Sequence, residues 1–229
     1  MDGNGRWARR QNMPRLYGHQ KGVDALKIAI QATMELKIPY LTVWAFSTEN
    51  WRRPEEEVSG LFNLFRIALK RDIPEFHKQN IRLKVLGLRT GLDKELITLI
   101  DKAEKLTKDN TGLTLTVAFN YGGRADILHA IQNIAQLVID GKLKPDQITE
   151  DLVTAHLLTQ DLPDPDLIIR TGKVSRISNF MLWQGFYAEL VFQDILWPEF
   201  TKDKFHEALR AFESYERNFG KVSKDVSTA

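Results

Sequence analysis

Apolar positions along this chain alternate between two periods, helical spacing and short continuous runs. After Gly18, the residues Val23, Leu26, Ile30 and Met34 recur every three or four positions and predict a helix with one buried face, and YLTVWAF (Tyr40 to Phe46) then reads as a buried strand. Pro54 and the three glutamates after it open a second helix whose apolar face is Val58, Leu61, Leu64, Phe65 and Leu69. IRLKVLG (Ile81 to Gly87) follows as a strand. The alternation continues with LDKELITLIDKAEKL as helix, LTLTVAFN as strand, and RADILHAIQNIAQLVIDG as a helix closed by Gly141. A polar stretch with a short helix leads to the strands DLIIRTG and YAELVF, and Phe205, Leu209, Phe212 and Phe219 form one stripe of a last helix from Lys202 to Phe219. No low-complexity linker interrupts the pattern, so residues 1–229 are expected to form a single α/β domain with a mainly parallel central sheet flanked by helices.

In such sheets, ligands bind beyond the carboxyl ends of the strands. Here those ends are polar: YLTVWAF runs into STENWRRP, LTLTVAF into NYGGR, and DLIIRTG into KVSRISNF. In the first, Ser47, Asn50 and Arg53 offer a hydroxyl, an amide and a guanidinium beside the apolar Phe46 and Trp51, a combination suited to a charged head with a greasy tail. Ser47 or Asn50 capping a turn and Trp51 anchoring a core would leave the same residues. In the third, Arg170 and Arg176 flank a loop and Ser178 precedes the helix-like run FMLWQ, so a helix amino terminus with two arginines predicts a phosphate site. An ordinary serine cap with solvated arginines is the plainer alternative. Glu189 opens the strand YAELVF as a metal-binding partner for Asp2, a partner for an arginine, or a satisfied edge carboxylate.

Composition narrows the chemistry. The formal net charge is only +2 over 229 residues, so any basic site is local and a nucleic-acid binder is disfavoured. With no cysteine, disulfides, thiolate zinc and cysteine nucleophiles are excluded, and a reducing compartment is compatible. No apolar run reaches the length that spans a bilayer, which leaves a soluble chain or one that meets a membrane by its surface. The local charge is concentrated at the start, MDGNGRWARR, which has no acid between Asp2 and Asp24. A multiply charged phosphate ligand accounts for this pattern: Asp2 to hold a divalent cation, Gly3 and Gly5 to admit backbone N–H groups, and Arg6, Arg9, Arg10 and Arg15 to supply charge. A disordered basic terminus would look similar.

Taken together, MDGNGRWA, YGH, FSTENWRRP, NYGGR, RISNF and YAELVFQDILWPEF resemble, in order and spacing, the motifs of the cis-prenyltransferases, over essentially the whole chain. The resemblance implies a transferase that condenses isopentenyl diphosphate onto an allylic diphosphate such as farnesyl diphosphate, giving a long polyprenyl diphosphate that carries cell-wall glycans. It implies an apolar tunnel, Mg2+ as cofactor, a homodimer, and a cytoplasmic enzyme in peripheral contact with a membrane for product release. It assigns Asp2 to the metal, with Glu189 in the metal and diphosphate arrangement. Gly3, Asn4, Gly5, Arg6, Arg15 and His19 grip the allylic diphosphate, with Trp7 beside them. Arg53, Arg170, Arg176 and Ser178 surround isopentenyl diphosphate, with Ser47 and Asn50 implicated in its positioning and proton loss. The trans class relies on aspartate-rich DDxxD motifs, and this sequence has no adjacent Asp pair.

Two departures from the family pattern define the competing expectation. An apolar strand segment normally precedes MDGNGRWA, and a parallel sheet without it would lose ladder hydrogen bonds and apolar burial together. The family's T-G-G-E-H/Q-R appears here as TGKVSR, so Lys173, Val174 and Ser175 replace a glycine, an acid and a His or Gln. A catalytically impaired homologue that binds prenyl diphosphates, or pairs with an active subunit, is the alternative these changes support.

Overall fold

Parallel pairing runs through both sheets of the computed structural model, which describes residues 1–216. Helices α1 (Asn4–Arg10) and α2 (Arg15–Glu35) lead into strand β1 (Tyr40–Ser47), then α3 (Glu55–Lys78), β2 (Arg82–Leu86), α4 (Lys94–Thr107) and β3 (Thr114–Tyr121). Helices α5 (Gly123–Ile139) and α6 (Glu150–Thr154), strands β4 (Leu167–Arg170) and β5 (Glu189–Phe192), and helix α7 (Lys202–Glu213) complete the order. The expected parallel sheet is divided in two, with order β1-β3-β2 in one part and β4-β5 in the other.

Burial follows the pairing. Strand β3 has neighbours on both edges and is buried from Leu115 to Tyr121, as a central parallel strand covered on both faces must be. Phe46, Phe62, Leu115 and Phe119 belong to the main core beneath α3 and α4. A second core joins the small face of α2 (Ala25, Ala29, Ala32) to Trp197, Phe200 and Phe205, and Met1 packs against both cores. Helix ends carry the chemistry their sequences suggest: Asp93 accepts from Leu96 N at 2.9 Å to start α4, and Gly141, with φ 68°, ends α5.

Three local expectations change. The amino terminus is neither a bare Gly-x-Gly turn nor disordered, but the helix α1 after Gly3. FMLWQ is a series of turns rather than a helix, because Ser178, Asn179 and Met181 all have positive φ, which α-helix does not admit. The last helix ends at Glu213, and Phe219 lies outside the described residues.

Candidate active site

The edges of β1 and β4 that have no strand partner among the described residues border one cavity of about 1350 Å³, lined by Leu41 and Val43 on one side and Ile168 and Ile169 on the other. Its body is apolar. Its head, at the carboxyl ends of β1 and β4, is polar and carries most of the residues singled out from sequence.

Asp2 is fixed first by its backbone. Its N–H donates to Thr171 Oγ1 at 3.1 Å, and its carbonyl accepts from Thr171 Oγ1 at 3.0 Å and from Trp197 N at 2.9 Å. The carboxylate then meets Arg170 Nη2 at 3.0 Å and Arg6 Nη2 at 3.4 Å. Burial works against ionisation here, but the hydrogen bond and charge of Arg170, with the charge of Arg6, hold the Asp2 carboxyl below its usual range. Gly172, at φ 95°, makes this approach possible, since a Cβ there would lie 2.8 Å from Arg6 Nη2 and 2.9 Å from Asp2 Cβ.

A second cluster centres on Glu57, which the sequence marked only as a helix start. Its carboxylate accepts from Arg15 Nε at 3.0 Å and Nη2 at 3.1 Å, and from Arg53 Nη1 at 3.0 Å, with His19 Nε2 at 3.6 Å. Burial opposes its charge, yet the Arg15 hydrogen bond and the two guanidinium charges keep the Glu57 carboxyl below the usual range. Gly5 faces Arg15 directly: a Cβ there would lie 2.8 Å from the guanidinium carbon. His19 Nε2 and the nearby Asn4 Oδ1 are buried without a hydrogen-bond partner, and both residues line the cavity.

The third cluster is the 170–179 loop. Arg170 Nη1 donates to Ser178 Oγ at 2.8 Å and to the carbonyl of Arg176, and Arg176 Nε donates to the same hydroxyl at 3.2 Å. Ser178 therefore joins two guanidinium groups instead of capping a helix. Asn179 secures the loop by donating to Glu49 at 2.6 Å and accepting from Arg124 N at 2.8 Å. In the turn after β1, Asn50 Oδ1 accepts from Ser47 N at 3.1 Å, so the capping role is realised while Phe46, Ser47, Asn50 and Arg53 still line the cavity.

Three expected site residues stand elsewhere. Trp7 stacks on Tyr17, with ring centroids 6.1 Å apart, away from the cavity lining. Trp51 is not on the cavity wall either; it donates to Asn120 Oδ1 at 2.8 Å and packs edge-on against Phe46. Glu189 pairs in register with Leu167, whereas Arg170 pairs with Phe192, so within one chain Glu189 sits about 10 Å down the strand from the Asp2 cluster. Of the early arginines, Arg6 and Arg15 line the cavity, while Arg9 and Arg10 fall in the last turn of α1 and do not.

The donor set bears on the metal. No cluster of three His, Cys, Asp or Glu side chains occurs among the described residues. A caged site is therefore not what Asp2 offers. Magnesium, however, is commonly held by one or two carboxylates together with substrate phosphates, and the Asp2 carboxylate on the cavity lining, among arginines that suit a phosphate, fits that mode.

A pH test isolates the Glu57 cluster. Burial first, then the charges of Arg53 and Arg15, lowers the pKa of His19 below 6.5 despite Glu57. The unfolded chain thus binds this proton more readily, and stability falls as pH drops from 6.5 toward the lowered value. Thermal denaturation between pH 7.5 and pH 5 is expected to show that loss, and His19→Gln to show a shallower slope over the same interval.

Comparisons with known proteins agree with this geometry. A family model described as "Putative undecaprenyl diphosphate synthase" matches residues 1–220. An isoprenyl transferase of Neisseria gonorrhoeae is 49% identical over 99% of this chain and 89% of its own length. A Vibrio cholerae protein named ditrans,polycis-undecaprenyl-diphosphate synthase, farnesyl-diphosphate specific, is 48% identical over 99% of this chain and 90% of its own. Among solved structures, lavandulyl diphosphate synthase from Lavandula x intermedia in complex with dimethylallyl diphosphate superposes with a TM-score of 0.93 at 36% identity, covering 96% of this chain and 95% of that one.

Proposed function

The chain belongs to the undecaprenyl diphosphate synthase family, and from that premise we propose that it condenses isopentenyl diphosphate onto an allylic diphosphate, farnesyl diphosphate being the expected starter. The observation that carries this reading is the convergence of three arginine-bearing clusters, around Asp2, Glu57 and Ser178, on the polar head of one apolar cavity. A diphosphate needs the first and a prenyl chain the second.

The division of labour follows from position. Asn4, Gly5, Arg6, Arg15 and His19 stand together at the start of α1 and α2 and suit the allylic diphosphate; Arg53, Arg170, Arg176 and Ser178 suit isopentenyl diphosphate. Breaking the allylic C–O bond develops negative charge on the leaving diphosphate, and fixed guanidinium groups stabilise that charge more in the transition state than before it. Mg2+, held by Asp2 with the diphosphate, would supply further charge neutralisation there. Ser47 and Asn50, at the end of β1, orient the second substrate and the site of its proton loss. Phe46 and the aliphatic walls keep water from the cationic carbon. Incorporation of radiolabelled isopentenyl diphosphate in the presence of farnesyl diphosphate and Mg2+ tests the reading; no incorporation by the folded protein would refute it.

Of the changes behind the impaired-homologue reading, Lys173 holds φ 57°, a conformation that suits glycine. Yet Arg170 and Arg176 still converge on Ser178 across that loop, which favours an active enzyme. Lys173→Gly is expected to stabilise the fold by about 0.5 to 1 kcal/mol, relief of left-handed strain less the added chain entropy, as read from the thermal midpoint. Replacing Lys173, Val174 and Ser175 together by Gly, Glu and His should leave the condensation rate near its starting value. A large gain in kcat/KM would instead make the present loop a defect.

A homodimer fits the exposed Phe186 and Tyr187, which lie just before β5, a strand paired on one edge alone among the described residues. No helix among the described residues is long and apolar enough to cross a membrane, so contact for product release would be by surface.

A further inference from the structure

Helices α2 and α3 are joined by ionic contacts at two levels. The first is Glu57 with Arg15, at the cavity's polar head. The second is deeper: Lys27 Nζ lies 2.8 Å from Asp72 Oδ1. Lys27 is twelve residues beyond Arg15 and Asp72 fifteen beyond Glu57, so the two contacts are about 18 Å apart along α2 and about 22 Å apart along α3. Between them the cavity wall is apolar, with Val23 and Leu26 from α2 facing Leu64, Phe65, Ala68 and Leu69 from α3. Lys27 and Asp72 themselves line the cavity; the Asp72 side chain is 11% exposed and that of Lys27 47%, so the ammonium crosses from the solvent side to a carboxylate set between the helices.

We propose that Lys27 and Asp72 form a tie between α2 and α3 that sets how long a prenyl chain the cavity accepts before release. This rests on the condensation activity proposed above. A chain anchored by its diphosphate at the first contact extends between the two helices and reaches the second after a few additions. Further growth there must wedge α2 and α3 apart or bend around the pair. Each added unit gains apolar burial, and a half-exposed ion pair resists separation only weakly, so the tie biases the final length instead of imposing a hard stop. Two residues beyond Asp72, Pro74 lies inside α3 and cannot donate the hydrogen bond to the carbonyl of Lys70, which places the helix's weakest point beside the tie.

Lys27→Met provides a clean test. It removes the link between helices but leaves Asp72 satisfied, because Arg71 also donates to both of its oxygens, at 2.8 Å each. Wild type, Lys27→Met and the charge-retaining Lys27→Arg would be incubated with farnesyl diphosphate, labelled isopentenyl diphosphate and Mg2+, and the products separated by chain length. Lys27→Met should give a longer modal chain, with the initial rate of label incorporation within about twofold of wild type. Lys27→Arg should keep the wild-type distribution. An unchanged or shortened distribution in Lys27→Met would overturn the tie. If Lys27→Met fails to fold by circular dichroism, Asp72→Asn is read in the same way, since its amide still packs in place and weakens the same contact. A wild-type protein that incorporates no label would refute the proposed activity itself, an outcome distinct from incorporation with unaltered lengths.

Discussion

Asp2→Ala is expected to lower turnover about a thousandfold, the scale of removing a preorganised charge at a site where charge develops, while the fold persists. The backbone bonds from Thr171 and Trp197 that place residue 2 do not involve its side chain, so they survive the substitution. Arg170 also keeps its contacts with Ser178 and the Arg176 carbonyl, leaving the pocket proposed for isopentenyl diphosphate assembled. What disappears, on the proposed assignment, is the oxygen ligand for a hard cation, which alanine cannot supply. The measurement is isopentenyl diphosphate incorporation across a Mg2+ titration, with circular dichroism as the control for folding. Turnover like that of wild type at ordinary Mg2+ would remove Asp2 from the reaction.

The second large effect falls on the loop arginines, and the geometry orders them. Arg170→Ala is expected to raise the KM for isopentenyl diphosphate by roughly 10- to 100-fold, the cost of losing charged hydrogen bonds to phosphate. The same change deprives Asp2 of its nearer guanidinium partner, so kcat should fall as well. Arg176→Ala should raise that KM less, since Arg176 is exposed and its side chain is joined to the cluster through the Ser178 hydroxyl. In both variants the KM for the allylic substrate should change less. Separate titration of each substrate checks the pattern, and equal weakening of both would show that the loop does not define a second pocket.

The fold was largely legible because strand and helix periods are properties of short windows. The runs YLTVWAF and LTLTVAFN both form strands that pair with each other, but only the second is buried along its length; YLTVWAF is an edge strand in which Val43 and Phe46 are buried and Tyr40 is exposed. The helix expected at FMLWQ failed for a local reason with no compositional trace: left-handed backbone at Ser178, Asn179 and Met181, none of them glycine. The candidate site was legible where a motif and its geometry coincide: Asp2, Arg6, Arg170 and Ser178, singled out from sequence, are in mutual contact. Trp7 and Trp51 show the limit, since an aromatic beside a polar motif serves packing as readily as ligand contact. Glu57 was missed for the opposite reason. It was one of three consecutive glutamates read only as a helix start, and only α2 docking on α3 brings Arg15 to it from 42 positions away. The four-residue step from Arg53 to Glu57 was the one signal available.

That shared carboxylate has a thermodynamic consequence. Arg15 and Arg53 belong, on the proposed assignment, to different substrates, yet both spend their hydrogen bonds on Glu57 in the free protein. A diphosphate that draws Arg15 away leaves Glu57 with Arg53 as its remaining guanidinium, and so alters what the second diphosphate must displace. The two binding equilibria are therefore linked, and linkage is reciprocal: whatever factor the allylic ligand imposes on the affinity for isopentenyl diphosphate, the latter imposes on the former. Neither substrate then has a single dissociation constant, only one for each state of its neighbour.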